Sequence, residues 1–169
     1  MITAAYVRMM AAYNAEMNRR IYAAAASLPD SERRKDIGLF FKSLHGTLNH
    51  ILWGDTTWMS RFDGWPPLTV GMREGPSLYE QFDDLKKARV EADAKIEDFA
   101  RRTDDAWLQE DLVWFSGAAG RELRRRKDGL LVHFFNHQTH HRGQAHAALT
   151  SRGIDPGDTD LFLLVKSDN

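Results

Sequence analysis

Leu130-Leu131-Val132-His133-Phe134-Phe135-Asn136-His137-Gln138-Thr139-His140-His141-Arg142-Gly143-Gln144-Ala145-His146-Ala147-Ala148-Leu149-Thr150 carries the fold in its spacing. At about 100° per residue, Leu130, Leu131, Phe134, Gln138, Ala145, Ala148 and Leu149 share one stripe of a helix. His141 falls near the middle of that mostly apolar stripe and His137 near its edge. Four residues apart, their rings lie one above the other. Two imidazoles at i and i+4 that face a core are a known way to hold a transition metal. Buried histidines are also often hydrogen-bonded core residues, so the pair alone leaves a metal site and a structural pair both open.

On either side of this helix the chain changes character. Asp128 can cap its start, and Gly153 with Pro156 ends it. Upstream, residues 104–127 lack helical periodicity. Leu112-Val113-Trp114-Phe115, the small residues Gly117-Ala118-Ala119-Gly120 and the run Arg121 to Lys127 predict a β-hairpin. Five of the seven residues from Arg121 to Lys127 are cationic. Charges that guard an edge strand against aggregation explain this best, and an anion-binding lip at a site mouth is the alternative. Downstream, Leu161-Phe162-Leu163-Leu164-Val165 is an apolar tail that either packs over the bundle or meets a second subunit.

Three further amphipathic segments precede the hairpin. Val7, Met10, Asn14, Met17, Ile21 and Ala25 predict a helix over residues 3–27, ended by Pro29. Asn14 and Asn18 either satisfy backbone groups within the bundle or line a central polar cavity. A second helix is predicted from about Asp30 or Ser31 to about Phe62, with Ile37, Phe40, Phe41, Leu44, Leu48, Ile51, Leu52, Met59 and Phe62 inward. Asp55 sits in the middle of that stripe, where an ionised carboxylate needs a cation or a metal-bound histidine as partner. Arg142 is the candidate cation. After Asp63-Gly64-Trp65-Pro66-Pro67 breaks the helix, Ser77 and Glu80 have capping-box spacing. They predict a third helix that ends near Arg102 and carries a solvated, mixed-charge outer face. Four such segments with mostly long connections predict an all-α four-helix bundle, open to crossover topology, with a small β-hairpin or irregular insert between helices three and four.

The totals narrow function. A chain of 169 residues suits one domain, here 1–169. A net charge of −1 gives no general drive toward nucleic acid or anionic membrane. Without cysteine there is no disulfide and no thiolate ligand, so a metal must rest on nitrogen and oxygen. Met1 to Met10 lacks a signal-peptide core and nothing reaches transmembrane length, which makes a cytoplasmic location the default expectation.

Of seven histidines, His133, His137 and His141 follow each other at intervals of four. His133 drifts to the flank, about 80° from His141. A third ligand must come from another helix, and His45, His50 and Asp55 are the candidates on helix two. Periodicity places His50 off the apolar stripe, among Ser43, Thr47, Gly54 and Thr57. It faces either solvent or a cavity that the small residues leave.

Three stretches resemble the DinB/YfiT-like family of metal-binding four-helix bundles. They are Tyr13-Asn14 with Asn18 and Tyr22; Phe41-Lys42-Ser43-Leu44-His45-Gly46-Thr47-Leu48-Asn49-His50-Ile51-Leu52 with Asp55, Trp58 and Arg61-Phe62; and His133-x-x-Asn136-His137-x-x-x-His141-Arg142-Gly143-Gln144. The resemblance implies that His50, directly after the Leu-Asn pair, holds a divalent metal together with His137 and His141. It leaves His45, His133, His140 and His146 to structure, support or surface. Zinc is the expected ion, with nickel, iron or manganese as alternatives, because nitrogen ligands discriminate poorly among them.

Three neutral imidazoles leave room for water or substrate on such an ion. The resemblance implies a thiol-dependent S-transferase in which a low-molecular-weight thiol attacks a small electrophile. A metal-dependent hydrolase of a small ester or amide and a non-catalytic metal- or ligand-binding stress-response protein are the alternatives. The zincin pattern H-E-x-x-H is absent, and no Glu or Asp within the histidine motif is an obvious general base, which weakens hydrolysis more than thiol transfer. Asp55 and Arg142 are the candidate catalytic residues, Asp55 for acid/base work or support and Arg142 for orienting Asp55 or the packing. Trp53, Trp58, Trp65 and the apolar tail predict a homodimer. Small-molecule substrates are expected as partners, nucleic acid and membrane are not.

Overall fold

A computed structural model describes residues 1–117 and 119–164. Ala118 of the expected turn and Val165 of the apolar tail lie outside these residues. Four long helices form the body: α1 (Ala4–Ala26), α3 (Leu44–Phe62), α4 (Phe82–Arg102) and α6 (Lys127–Thr150). Shorter helices are α2 (Asp30–Arg34), α5 (Asp105–Gln109) and α7 (Leu161–Leu164). Strands β1 (Asp111–Ser116) and β2 (Arg121–Arg126) pair antiparallel from Asp111↔Arg126 to Ser116↔Arg121. This is the expected bundle with its hairpin insert. No helix among the described residues is long and apolar enough to cross a membrane.

The principal contacts run around a ring in the order α1, α4, α3, α6. The apolar core falls into two clusters along the bundle. One contains Val7, Ala11, Met59, Phe62, Ile96, Phe99, Leu130 and Phe134, and the other Ile21, Ala25, Leu44, Leu48, Phe82, Leu85, Ala145 and Leu149. Followed from N- to C-terminus, α1 and α6 cross from the first cluster to the second, while α3 and α4 cross the other way. Parallel α3 and α4 require a long return, and residues 63–81 provide it. The topology is therefore a crossover bundle.

Between the two clusters each long helix contributes buried polar groups: Asn14 and Asn18, Asp55, Arg89 and Asp93, Gln138 and Arg142. Arg89 Nη1 donates to Asp55 Oδ2 at 2.5 Å and Arg89 Nη2 pairs with Asp93 Oδ1 at 2.9 Å. Asn18 Nδ2 donates to Asp93 Oδ1 at 2.9 Å, and Gln138 Nε2 to Asp55 Oδ1 at 2.8 Å. Burial opposes the Arg89 charge, yet Asp93 and Asp55 hold its pKa above the ordinary value. Burial raises Asp93 to about 6, against the pull of Arg89. Both asparagines thus belong to a central polar belt, and Asp55 finds its cation in Arg89 and not in Arg142.

Local chemistry corrects several sequence expectations. The second helix is not continuous from Asp30 to Phe62. Gly38 takes a left-handed φ of 78°, Lys42 one of 65°, and Ile37 N–H donates to Lys42 C=O at 2.9 Å to close a turn. Ser43 then caps α3 by accepting from Gly46 N–H at 3.0 Å. The third helix begins at Phe82 instead of at the Ser77–Glu80 box, after a 3₁₀ turn at Gly75–Ser77. Its would-be first turn is held elsewhere: Tyr79 N–H donates to Asn49 Oδ1 at 2.7 Å, and Tyr79 C=O accepts from Asn49 Nδ2 and faces His45 Nε2 at 3.0 Å. Residues 104–127 contain a helical turn, α5, capped by Asp104 and anchored by the fully buried Leu108. Asp128 lies inside the first turn of α6 instead of capping it. There it is buried with Arg126 at 2.8 Å and the N-terminal amine at 3.3 Å.

The hairpin charges behave as solvated edge protection. All of β2 except Leu123 is exposed, and Arg124, Arg126 and Lys127 pair with Asp111, Asp128 and Glu110. Trp53, Trp58 and Trp65 are half-buried against their own chain, whereas Phe162 and Leu163 of α7 are exposed.

Candidate metal centre

The antiparallel neighbours α3 and α6 bring His50, His137 and His141 together. Each offers a ring nitrogen, and these atoms all lie within 4.8 Å of one another. His50 Nε2 and His137 Nε2 are 3.1 Å apart. Two nitrogens bound to one tetrahedral ion at ~2.0–2.1 Å stand roughly 3.3 Å apart, so this spacing suits a shared cation. No carboxylate joins the cluster among the described residues.

Each ring is held by distinct neighbours. The break before α3 folds Phe41 back so that its ring stacks on His50 with centroids 3.7 Å apart, and the Trp53 ring is also stacked against His50, at 5.6 Å. His137 lies against Gly54: a Cβ there would come within 2.8 Å of His137 Cε1. The small-residue space that periodicity noted beside His50 therefore accommodates the ring of His137. His141 Nδ1 donates to Gln144 Oε1 at 2.8 Å, which leaves its Nε2 lone pair free for the cluster. Gln144 Nε2 also reaches His140 Nε2 at 3.3 Å.

Electrostatics keep the rings neutral. Burial, then the rings of His137 and His141, lowers His50 to about 3. Burial, then His141 and its neighbours, lowers His137 to about 4. Burial also lowers His141, opposed by Gln144. Neutral imidazoles present lone pairs, the form a metal requires. In the metal-free protein two facing Nε2 atoms at 3.1 Å share one proton at most, and His50 Nδ1 is buried without a partner. The donor set and its spacing fit a divalent cation.

The remaining candidates lie elsewhere. His45 is buried with Tyr79 C=O, His146 faces Gly157 C=O at 3.4 Å, and His140 is exposed. His133 packs edge-on to Trp58 at 5.3 Å, with its ring 6.1 Å from that of His137. Asp55 and Arg142 hydrogen-bond none of the three histidines. Asp55 serves Arg89 and Gln138, while Arg142 bonds Asn14 Oδ1 and, at 3.4 Å, Thr139 Oγ1. Burial lowers Arg142 to about 10, against the attraction of Asp55.

The belt nevertheless adjoins the centre in sequence. Gln138 and Arg142 each directly follow a clustered histidine, and Asp55 lies five residues after His50. The Gln138–Asp55 bond links α6 to α3, the two helices that carry the clustered rings. Sequence reading missed Arg89 and Asp93, assigning their helix an ordinary charged exterior. The signal was present, since Arg89 falls between Leu85 and Ala92 on the apolar stripe.

A sequence model described as the DinB family matches residues 1–168. The chain is 25% identical over 160 residues to "Protein DinB" of Bacillus subtilis (strain 168), covering 89% of this chain and 88% of that protein. The helical bundle, the histidine cluster and a match that spans nearly every residue agree, and the chain belongs to the DinB family.

Proposed function

We propose that His50, His137 and His141 hold a divalent metal, zinc first among the candidates, and that the protein is a thiol-dependent S-transferase acting on a small electrophile. One observation carries this: three neutral imidazoles form the cluster with no acidic fourth ligand among the described residues, so coordination positions stay open to an external molecule. A metal bound there supplies Lewis acidity, which lowers the pKa of a coordinated thiol or water. Gln144 fixes the His141 tautomer, and Phe41 and Trp53 shield the His50 ring from water. Asp55 and Arg142 act as positioning residues through the polar belt.

Hydrolysis needs a base for water. The one carboxylate on the inward stripe of α3, Asp55, is fully buried and bound to Arg89 and Gln138. A thiol already ionises with a pKa of about 8.5, so the charge of a bound metal would suffice to release its proton to solvent at neutral pH, whereas water starts far higher, and this favours transfer.

The test begins with metal analysis of purified protein. Conjugation of a chromogenic electrophile is then followed with glutathione, mycothiol and bacillithiol, with His137→Ala as control. Turnover with one thiol, lost in the variant, is expected. Metal-loaded protein that turns over with none refutes the transferase and leaves a binding protein, and chelator-sensitive ester hydrolysis would establish the second chemistry. We also propose a homodimer that uses the exposed Phe162 and Leu163. A monomeric mass by light scattering at micromolar concentration contradicts it.

A further inference from the structure

A cavity of about 340 Å³ lies on the face of α6 turned toward α1, apart from the histidine cluster. Its lining includes the apolar Met17, Ile21, Ala147 and Pro156 and the polar Arg142, Thr139 and His146. The segment after α6 lines one side of it and is tied to both helices. Tyr13 Oη donates to Thr159 C=O at 2.6 Å, Arg20 Nη1 to Asp158 C=O at 3.4 Å, and His146 Nε2 faces Gly157 C=O.

The two arginines on this wall differ in kind. Arg20 is committed to Glu16 at 2.6 Å. Arg142 is 5% exposed, yet it hydrogen-bonds only the neutral oxygens of Asn14 and Thr139, and among the described residues no carboxylate lies within 4.0 Å of it. Asp55, the nearest acid by sequence logic, is taken by Arg89. A buried guanidinium without an ion-pair partner is costly, and its fork geometry matches a carboxylate. A cleft with apolar lining and one such buried cation has the composition of a small-molecule site.

We propose that this cavity binds a small amphiphilic carboxylate, its head on Arg142 and Thr139 and its chain against Met17, Ile21 and Ala147. None of the three clustered histidines lines this cavity, and their cluster lies on the α3 side of the same helix.

Isothermal titration with octanoate, octanol and octylammonium tests it on the full chain and on His137→Ala. The expected result is saturable octanoate binding, at least tenfold weaker octanol binding and none for octylammonium, all unchanged in His137→Ala. Arg142→Gln should abolish the preference for octanoate over octanol. Should that variant fail to fold, Gly143→Leu decides. Gly143 lines the cavity with open space at its Cβ position, so leucine there fills the cavity and suits the helix. Gly143→Leu should lose octanoate binding and keep its metal content. Octanol binding as tightly as octanoate, octanoate binding that depends on His137, or undiminished binding in Gly143→Leu overturns the proposal.

Discussion

Gly54→Ala tests the centre with a single methyl group. The added Cβ would lie 2.8 Å from His137 Cε1 and 3.3 Å from Nδ1. Non-bonded carbons rest at about 3.5–4.0 Å, so the ring must retreat by about 0.7–1.2 Å. Metal–ligand distances tolerate only about 0.2 Å. Losing a mere supporting contact costs roughly 10–100-fold in metal affinity, and displacing a ligand costs at least that. The fold should survive, because alanine in a helix interior is favoured over glycine by about 0.8–1 kcal/mol, which offsets part of the strain. Zinc competition against a chromophoric chelator reads the affinity, and urea unfolding of metal-free protein reads the fold. A variant that folds and binds zinc at least tenfold more weakly is expected. Wild-type affinity in Gly54→Ala would show that the position of His137 is irrelevant to the metal.

Further outcomes follow from the belt and the ligand supports. Arg89→Met leaves Asp55 and Asp93 buried without their cation, so urea unfolding should show a loss of about 3–5 kcal/mol. Gln144→Ala frees the His141 tautomer and should weaken zinc about 10–100-fold with the unfolding midpoint of metal-free protein unchanged. Metal-free protein should lose stability as pH falls from about 6.5 toward 4. In that window the unfolded chain takes up protons that His50 and His137, lowered to about 3 and about 4, refuse. Asp93, raised to about 6, and Asp55, also raised by burial, work the opposite way, but the lowered histidines His45, His50, His133, His137 and His141 outnumber them, and His50→Gln should flatten the slope. Chelation should lower the melting temperature and zinc should restore it, since free metal at 100 times Kd adds about 2.7 kcal/mol.

How far the sequence speaks depends on the range of the forces involved. Periodicity located all four long helices and the hairpin, because burial of a stripe is a local property of each segment. It failed between Ile37 and Ser43 and again at Ser77–Glu80. At the first a local turn with left-handed Gly38 and Lys42 interrupts the stripe, and at the second side chains remote in sequence, Asn49 and His45 holding Tyr79, decide the backbone against its own capping signals. His137 and His141 were legible as an i, i+4 pair. His50 was not, since a wheel weights apolar neighbours and a ligand faces the gap between helices; only the family resemblance singled it out. Arg89 shows the converse error. A charged residue on an inward stripe reads as exterior until the two carboxylates that neutralise it, from α3 and from its own helix, are seen around it.

X-ray absorption at the zinc edge of metal-loaded protein tests the three-histidine centre most directly. Three imidazole nitrogens at about 2.0–2.1 Å with at least one further ligand are expected, falling to two imidazoles in His50→Ala. A spectrum with fewer than three imidazoles, or one that His50→Ala leaves unchanged, would contradict convergence of α3 and α6 on one ion.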